Sequence, residues 1–256
     1  MATAFEQPVP ASSEEKFFFR MACAMAVVIV AGFAVNLAMG RSTFAVPIVY
    51  HIHAFVFFGW VAIFLAQNYL VSHDRVDVHR RLGWISVIWV PLMLVLAVAI
   101  MVTSLRRNGG PFFFDQNEFM ISNVLQLACF AGLVAAAVIQ RRNTAWHRRL
   151  MFVAMAILTG PGLGRLLPMP LLIPHAWRAI VVATMIFPII LMIADKRRYG
   201  KVHPALLWGV AAVLVTQVAA DLIAYSPLGE ALTNQVVEGT PGAERPMQAF
   251  LPPGVL

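Results

Sequence analysis

Charge is what this 256-residue sequence has least of: Asp, Glu, Lys and Arg make up 12% of it. A soluble domain carries about 25%. With 60% hydrophobic residues, too little polar surface remains to clothe a water-soluble globule, which excludes a soluble enzyme and a disordered chain. Cysteine is scarce as well. Cys23 and Cys129 both sit in apolar runs, so a disulfide framework is excluded. Also missing are a Gly-rich phosphate loop, a His-Glu-x-x-His helix and a Gly-x-Ser-x-Gly elbow. The familiar ATPase and hydrolase chemistries therefore have no footing. Charges at mid-membrane depth, of the kind ion-coupled transporters use, are missing too.

What the sequence has in quantity is long apolar runs. A bilayer core about 30 Å thick needs roughly 20 apolar residues at 1.5 Å each. Seven segments meet or approach that length: Met21–Met39, Val49–Val71, Leu82–Leu105, Phe119–Ile139, Leu150–Leu167, Ala176–Ala194 and Ala205–Ala224. The expected fold class is an all-α integral membrane protein, a bundle of about seven transmembrane helices, with the lipid bilayer as its first partner. Residues 1–20 form an N-terminal tail, 21–224 the helical domain and 225–256 a Pro/Gly-rich tail. No small-residue cleavage site follows Lys16 and Arg20, so the first segment reads as a retained helix and not a signal peptide.

The basic residues lie in short clusters between the apolar runs, which is how membrane-flanking charge is distributed, and nucleic acid is not an expected partner. Thirteen Lys and Arg fall on the side of the N-terminus, among them Arg80, Arg81, Arg148 and Arg149. Six fall on the other side: Arg41, Arg106, Arg107, Arg165, Arg178 and Arg245. The positive-inside rule then puts the N-terminus in the cytoplasm and the C-terminus outside. The tail from Tyr225 has no twenty-residue apolar run, and disorder is expected there unless a partner subunit holds it.

Seven histidines form two layers on this topology. His51, His53 and His175 lie on the outer side; His73, His79, His147 and His203 lie on the inner side. His53, Trp60 and Gln67 are spaced seven apart, so they drift only about 20° per step on a straight helix. They make one stripe about 21 Å long, facing protein: a packing seam, or a row of ligand or relay groups. His147 and Arg165 are eighteen residues apart, which is five turns and one face. Arg165 needs a partner at its depth, and Asp221, Asp115 and Glu118 are the choices, Asp221 foremost. The alternative is that the segment ends near Thr159, before the Gly160–Gly164 run, and leaves Arg165 in a loop. Asn36, Asn123 and Gln126 join His53, His175, Arg165 and Asp221 as the lining of an outward-facing polar cavity.

Val78-His79-Arg80-Arg81-Leu82-Gly83-Trp84 and Trp146-His147-Arg148-Arg149-Leu150-Met151-Phe152 echo each other, as a duplicated two-helix unit would. The pattern of His53, Trp60 and Gln67, then His79-Arg80-Arg81-Leu82-Gly83, then His147-Arg148-Arg149-Leu150-Met151 and Arg165 is similar to a widespread group of uncharacterised bacterial polytopic inner-membrane proteins. More distantly, the helix starts resemble those of cytochrome b561-type electron carriers. That second resemblance implies haem b held between histidines of neighbouring helices, with electrons exchanged with quinone. His79 and His147 would hold one haem, and His53 and His175 a second, although the fourth segment contains no histidine.

Three functional readings stay open. The first is an accessory or assembly subunit that docks a membrane protein partner through the tail and outer loops. The second is a haem b electron carrier. The third is an intramembrane enzyme or transporter with a polar or metal site at His53 and His175, completed by Asp115 or Asp221.

Overall fold

A computed structural model of the chain describes residues 12–252, and all its regular elements are helical. In chain order these are α1 (Ser13–Ala38), α2 (Ile48–Ser72), α3 (Val76–Gly83), α4 (Ser86–Asn108) and α5 (Gln116–Ile139). Then follow α6 (Thr144–Leu158), α7 (Gly160–Leu166), α8 (Ala176–Thr184), α9 (Ile186–Tyr199), α10 (Pro204–Ala224) and α11 (Pro227–Val237). Seven stretches are long and apolar enough to cross a membrane: α1, α2, α4, α5, α6 with α7, α8 with α9, and α10. An odd number of spans puts Ser12 and α11 at opposite ends of the bundle, here the N-side and the C-side. Residues 1–11 of the expected N-terminal tail and 253–256 of the C-terminal tail lie outside the described residues.

The first helix starts earlier than its apolar run. Ser12 Oγ accepts from the Glu15 amide at 3.2 Å, and the Ser12 amide donates to Glu15 Oε2 at 2.7 Å. Such a cap contributes about 0.5–2 kcal/mol, and it carries the helix back to Ser13. The His79-Arg80-Arg81 motif likewise does not open a span. It forms α3, a short helix with no buried residue, before the chain turns into α4. In the second copy the motif lies within the first turns of α6.

One apolar core joins Phe18, Met25 and Ile29 of α1 to Trp60 and Phe64 of α2, Phe130 of α5, Val153 of α6 and Leu206 of α10. The outward faces are as apolar as the core: Phe55 is 73% exposed, Ile88 76% and Leu222 72%. Lipid tolerates such faces and water does not.

The Gly160–Gly164 run does not end the fifth span. Thr159 keeps helical angles (φ −72°, ψ −17°), and its hydroxyl donates to the Ala156 carbonyl at 2.6 Å. Pro161 takes the first turn of α7, where a missing N–H is harmless. The glycines admit α1: a Cβ on Gly32 would lie 2.2 Å from the Gly162 carbonyl oxygen, and one on Gly162 would lie 2.7 Å from Ile29 Cα. The alternative in which the segment ends near Thr159 and leaves Arg165 in a loop is thereby overturned; Arg165 sits in α7.

The C-terminal segment is folded, against the expectation of disorder. Ser226 caps α11, and a Cβ on Gly229 would collide with the Ile223 carbonyl at 2.2 Å. Beyond α11, Arg245 donates to the carbonyls of Gly109, Gly110, Phe112 and Phe114. The segment is thus locked onto the loop that joins α4 to α5.

Candidate functional site

His79 of α3 and His147 of α6 come together on the N-side, with ring centres 6.1 Å apart and planes at 83°. His147 Nδ1 lies 2.8 Å from the Ala137 carbonyl at the end of α5. A carbonyl only accepts, so Nδ1 carries the proton and Nε2 keeps its lone pair. His79 Nδ1 is buried without a hydrogen bond of full geometry, and the polar group facing it is the Gln67 backbone carbonyl near the end of α2. The two halves therefore repeat one device: a histidine at the start of a helix turns Nδ1 toward a carbonyl at the end of the preceding span. Burial holds His79 below its ordinary pKa, with the His147 ring and Arg80 acting the same way. Gln67 closes the site from α2. Its Oε1 is buried and unpartnered, and its Nε2 would be 3.5 Å from a Cβ on Gly83.

Beside this pair lies an ion cluster that the sequence did not reveal. Arg149 of α6 is 1% exposed and grips Asp195 of α9 through Nε at 2.9 Å and Nη2 at 2.5 Å. Glu14 of α1 accepts from Arg149 at 3.1 Å, from the Tyr199 hydroxyl at 2.7 Å and from Arg148. The His203 amide donates to Asp195 at 3.2 Å. This cluster binds the N-side ends of three spans, with Arg148 Nε the one of its buried side-chain atoms left without a hydrogen bond among the described residues.

A second polar cluster fills the C-side half. Arg178 of α8 pairs with Asp221 of α10 at 2.9 Å and lies 3.6 Å from Glu118 of α5. Gln217 accepts from Trp177 Nε1 and from Gln126 Nε2, each at 3.1 Å, and donates to Asp221 at 2.8 Å. Asp115 accepts from the Tyr225 hydroxyl at 2.9 Å. Burial first, then the neighbouring Glu118 and Asp115 carboxylates, raise the Tyr225 pKa above its ordinary value.

The other expected site residues are dispersed. His53 stacks on Phe57, with centres 4.1 Å apart. His175 is exposed at the start of α8, and no ring contact joins it to His53 among the described residues. Arg165 does not pair with Asp221. It packs over the Phe33 ring, 3.9 Å from its centre, and donates to the Pro161 carbonyl at 2.8 Å. Depth alone had suggested the pair, but Arg178 reaches Asp221 first. Asn123 turns back onto its own helix, to the Phe119 carbonyl at 2.6 Å. No group of three or more His, Cys, Asp or Glu side chains that could hold a metal ion occurs among the described residues. The expected set of His53, His175 and Asp115 or Asp221 is therefore not assembled.

Comparison with known proteins gives no match among protein-family models, curated proteins or solved structures. Any reading of function rests on the sites themselves.

Proposed function

We propose that the protein is a multi-pass electron carrier of a bacterial inner membrane that holds one b-type haem between His79 and His147. The observation that carries this reading is the 6.1 Å between their ring centres. Two imidazoles that share one metal atom end-on, each nitrogen about 2.0 Å from it, put their centres about 6 Å apart. His147 is already oriented by its carbonyl partner, the arrangement that fixes tautomer and aim in metal-binding histidines. The absence of a third ligand among the described residues favours haem over a bare ion. A lone zinc or copper asks the protein for three or four donors, whereas a porphyrin supplies four and asks for two. Arg80 and Arg81, exposed beside His79, are cations suited to haem propionates.

The haem would supply a one-electron couple. His79 and His147 would bind it, with Nδ1 of each turned to a backbone carbonyl so that both Nε2 atoms stay free of protons. Quinone, dissolved in the same bilayer, is the redox partner of matching chemistry. With thirteen basic residues on the N-side against six on the other, the haem end faces the cytoplasm. The reading as an accessory subunit draws less support, because the C-terminal segment offered for docking makes its contacts with its own chain. The test is the absorption spectrum of protein purified from cells fed a haem precursor. A Soret band that is lost in both His79→Ala and His147→Ala supports the reading; a colourless wild-type protein ends it.

A further inference from the structure

The hydrogen bonds of the C-side cluster fix which way each amide points. Trp177 Nε1 can only donate, so the Gln217 atom it meets is the carbonyl oxygen. Asp221 accepts from Gln217 Nε2, which gives the same assignment from the other end. Gln126 must then turn its NH2 to Gln217 Oε1, and its own Oε1 is left buried with no donor. Asn117 donates through Nδ2 to the Ala224 carbonyl at 2.8 Å, so its Oδ1 is likewise an acceptor without a donor. Glu118 Oε1, 3.6 Å from Arg178 Nη1, and Ser122 Oγ are buried and make no hydrogen bond either.

These four residues are 3%, 1%, 0% and 7% exposed in chain order Asn117, Glu118, Ser122, Gln126. Residues 118, 122 and 126 follow one side of α5 at four-residue intervals, over about 12 Å. A run of buried polar atoms without hydrogen bonds in a native fold, three acceptors and one hydroxyl, is met by ordered water or by a polar ligand. Their spread along the helix suits several waters better than one small ligand. Beyond Gln126 the same helix buries Phe130, Leu133, Val134 and Ala137, which offer water nothing.

The charges around Glu118 do not balance. Arg178 from α8 is the cation that faces it, and Arg178 is already paired with Asp221 from α10. Asp115 precedes Glu118 by less than a turn, and Tyr225 beyond α10 adds only a hydroxyl, which it gives to Asp115. Arg245 adds a second cation on the Asp115 side, but its donors go to the 109–114 carbonyls. Two guanidiniums still leave one of three carboxylates uncompensated, and Glu118 is the most deeply buried of them.

We propose that this face of α5 is a hydrated half-channel that opens on the C-side and ends at the Gln126–Gln217 pair at mid-span, with Glu118 as its proton-binding carboxyl. Glu118 takes a proton from the adjoining water and returns it to the same water, while Asn117, Ser122 and Gln126 hold the file in place. The proposal shares no residue with the His79–His147 site and stands or falls apart from it.

Infrared spectra of the full-length protein in lipid nanodiscs test the proton site. At neutral pH the wild type and Asp115→Asn are expected to show a protonated-carboxyl band that shifts on transfer to D2O, and Glu118→Gln is expected to lose it. A wild type without the band, or a band that survives in E118Q, overturns the proposal. The water file is tested separately in a Cys23→Ala, Cys129→Ala background. The thiol of Ser122→Cys should exchange its proton for deuterium during mixing, while that of Val124→Cys, on the outward face of the same helix, remains protonated. An S122C thiol that stays protonated as long as V124C overturns the file even where E118Q fails to fold.

Discussion

Arg149 and Asp195, forty-six residues apart, meet inside the protein through two hydrogen bonds, and each is 1% exposed. The pair ties the start of α6 to the end of α9, and Glu14 extends it to α1. Neither charge has water to fall back on, so each depends on its partners in the cluster: Arg149 on Asp195 and Glu14, Asp195 on Arg149 and the His203 amide. This arrangement makes the N-side a fixed platform on which His147, two residues before Arg149, is held against His79.

Removing one partner of such a pair strands the other. Asp195→Ala should lower stability by about 3–5 kcal/mol, read by equilibrium unfolding in mixed micelles. The double variant Arg149→Met, Asp195→Leu should lose less than either single change, because no uncompensated charge is left inside. A D195A protein as stable as the surface variant Asp77→Ala would show that the pair contributes nothing.

The crossing of α1 and α7 should be equally unforgiving for a steric reason. Gly32→Ala puts a methyl into the Gly162 carbonyl, and such overpacking costs about 1–3 kcal/mol. Gly132, in the middle of α5, has nothing within 4 Å of where a Cβ would be. Gly132→Ala should therefore be neutral or stabilising, by up to about 1 kcal/mol. The same unfolding assay reads both variants, and equal effects would refute the close contact.

The spans were legible in the sequence because bilayer thickness sets a length that apolar runs must match, and that length is the same whatever packs against what. The repeated His-Arg-Arg motif was legible too, and the structure brings His79 and His147 together. Azimuth was not. Arg165 and Asp221 share a depth, but which residues face each other depends on how the helices rotate and cross, and Gly32 and Gly162 set one of those crossings. Arg149 was hidden for a related reason. A basic cluster beside an apolar run counts as loop charge until the helix is known to begin at Thr144, which carries Arg149 into the core toward Asp195. The folded C-terminal segment left only a faint signal, Ser226 followed by Pro227 as cap and first turn, because its stability comes from Arg245 reaching carbonyls more than a hundred residues away.

That last contact is open to test. The Arg245 guanidinium fills the loop between α4 and α5 and meets four of its carbonyls. Hydrogen bonds to a charged group contribute about 1.5–3 kcal/mol, so Arg245→Ala should loosen the C-side locally by that order. Hydrogen exchange should rise in residues 109–114 and in α11 while α6 keeps its protection. Unchanged exchange at 109–114 would mean that the loop holds its own shape.

Acid should weaken the N-side through its histidines, and the sign follows from the direction of their shifts. His79 is held below its ordinary value near 6.5 by burial, with His147 and Arg80 adding to the effect. His203 is lowered by burial and then by Arg149. Below about pH 6.5 the unfolded chain takes up protons that the folded chain refuses, so folding stability falls with pH until the folded groups also titrate. Above that pH these two histidines give no slope. His79→Gln should flatten the acid limb of a stability profile, and the double variant His79→Gln, His203→Asn should flatten it further. Haem binding should show the same limb, since a protonated imidazole has no lone pair to give. If wild type and H79Q lose stability in parallel between pH 7 and 5, His79 takes up its proton as readily in the folded protein as in the unfolded chain, and burial does not hold its pKa down.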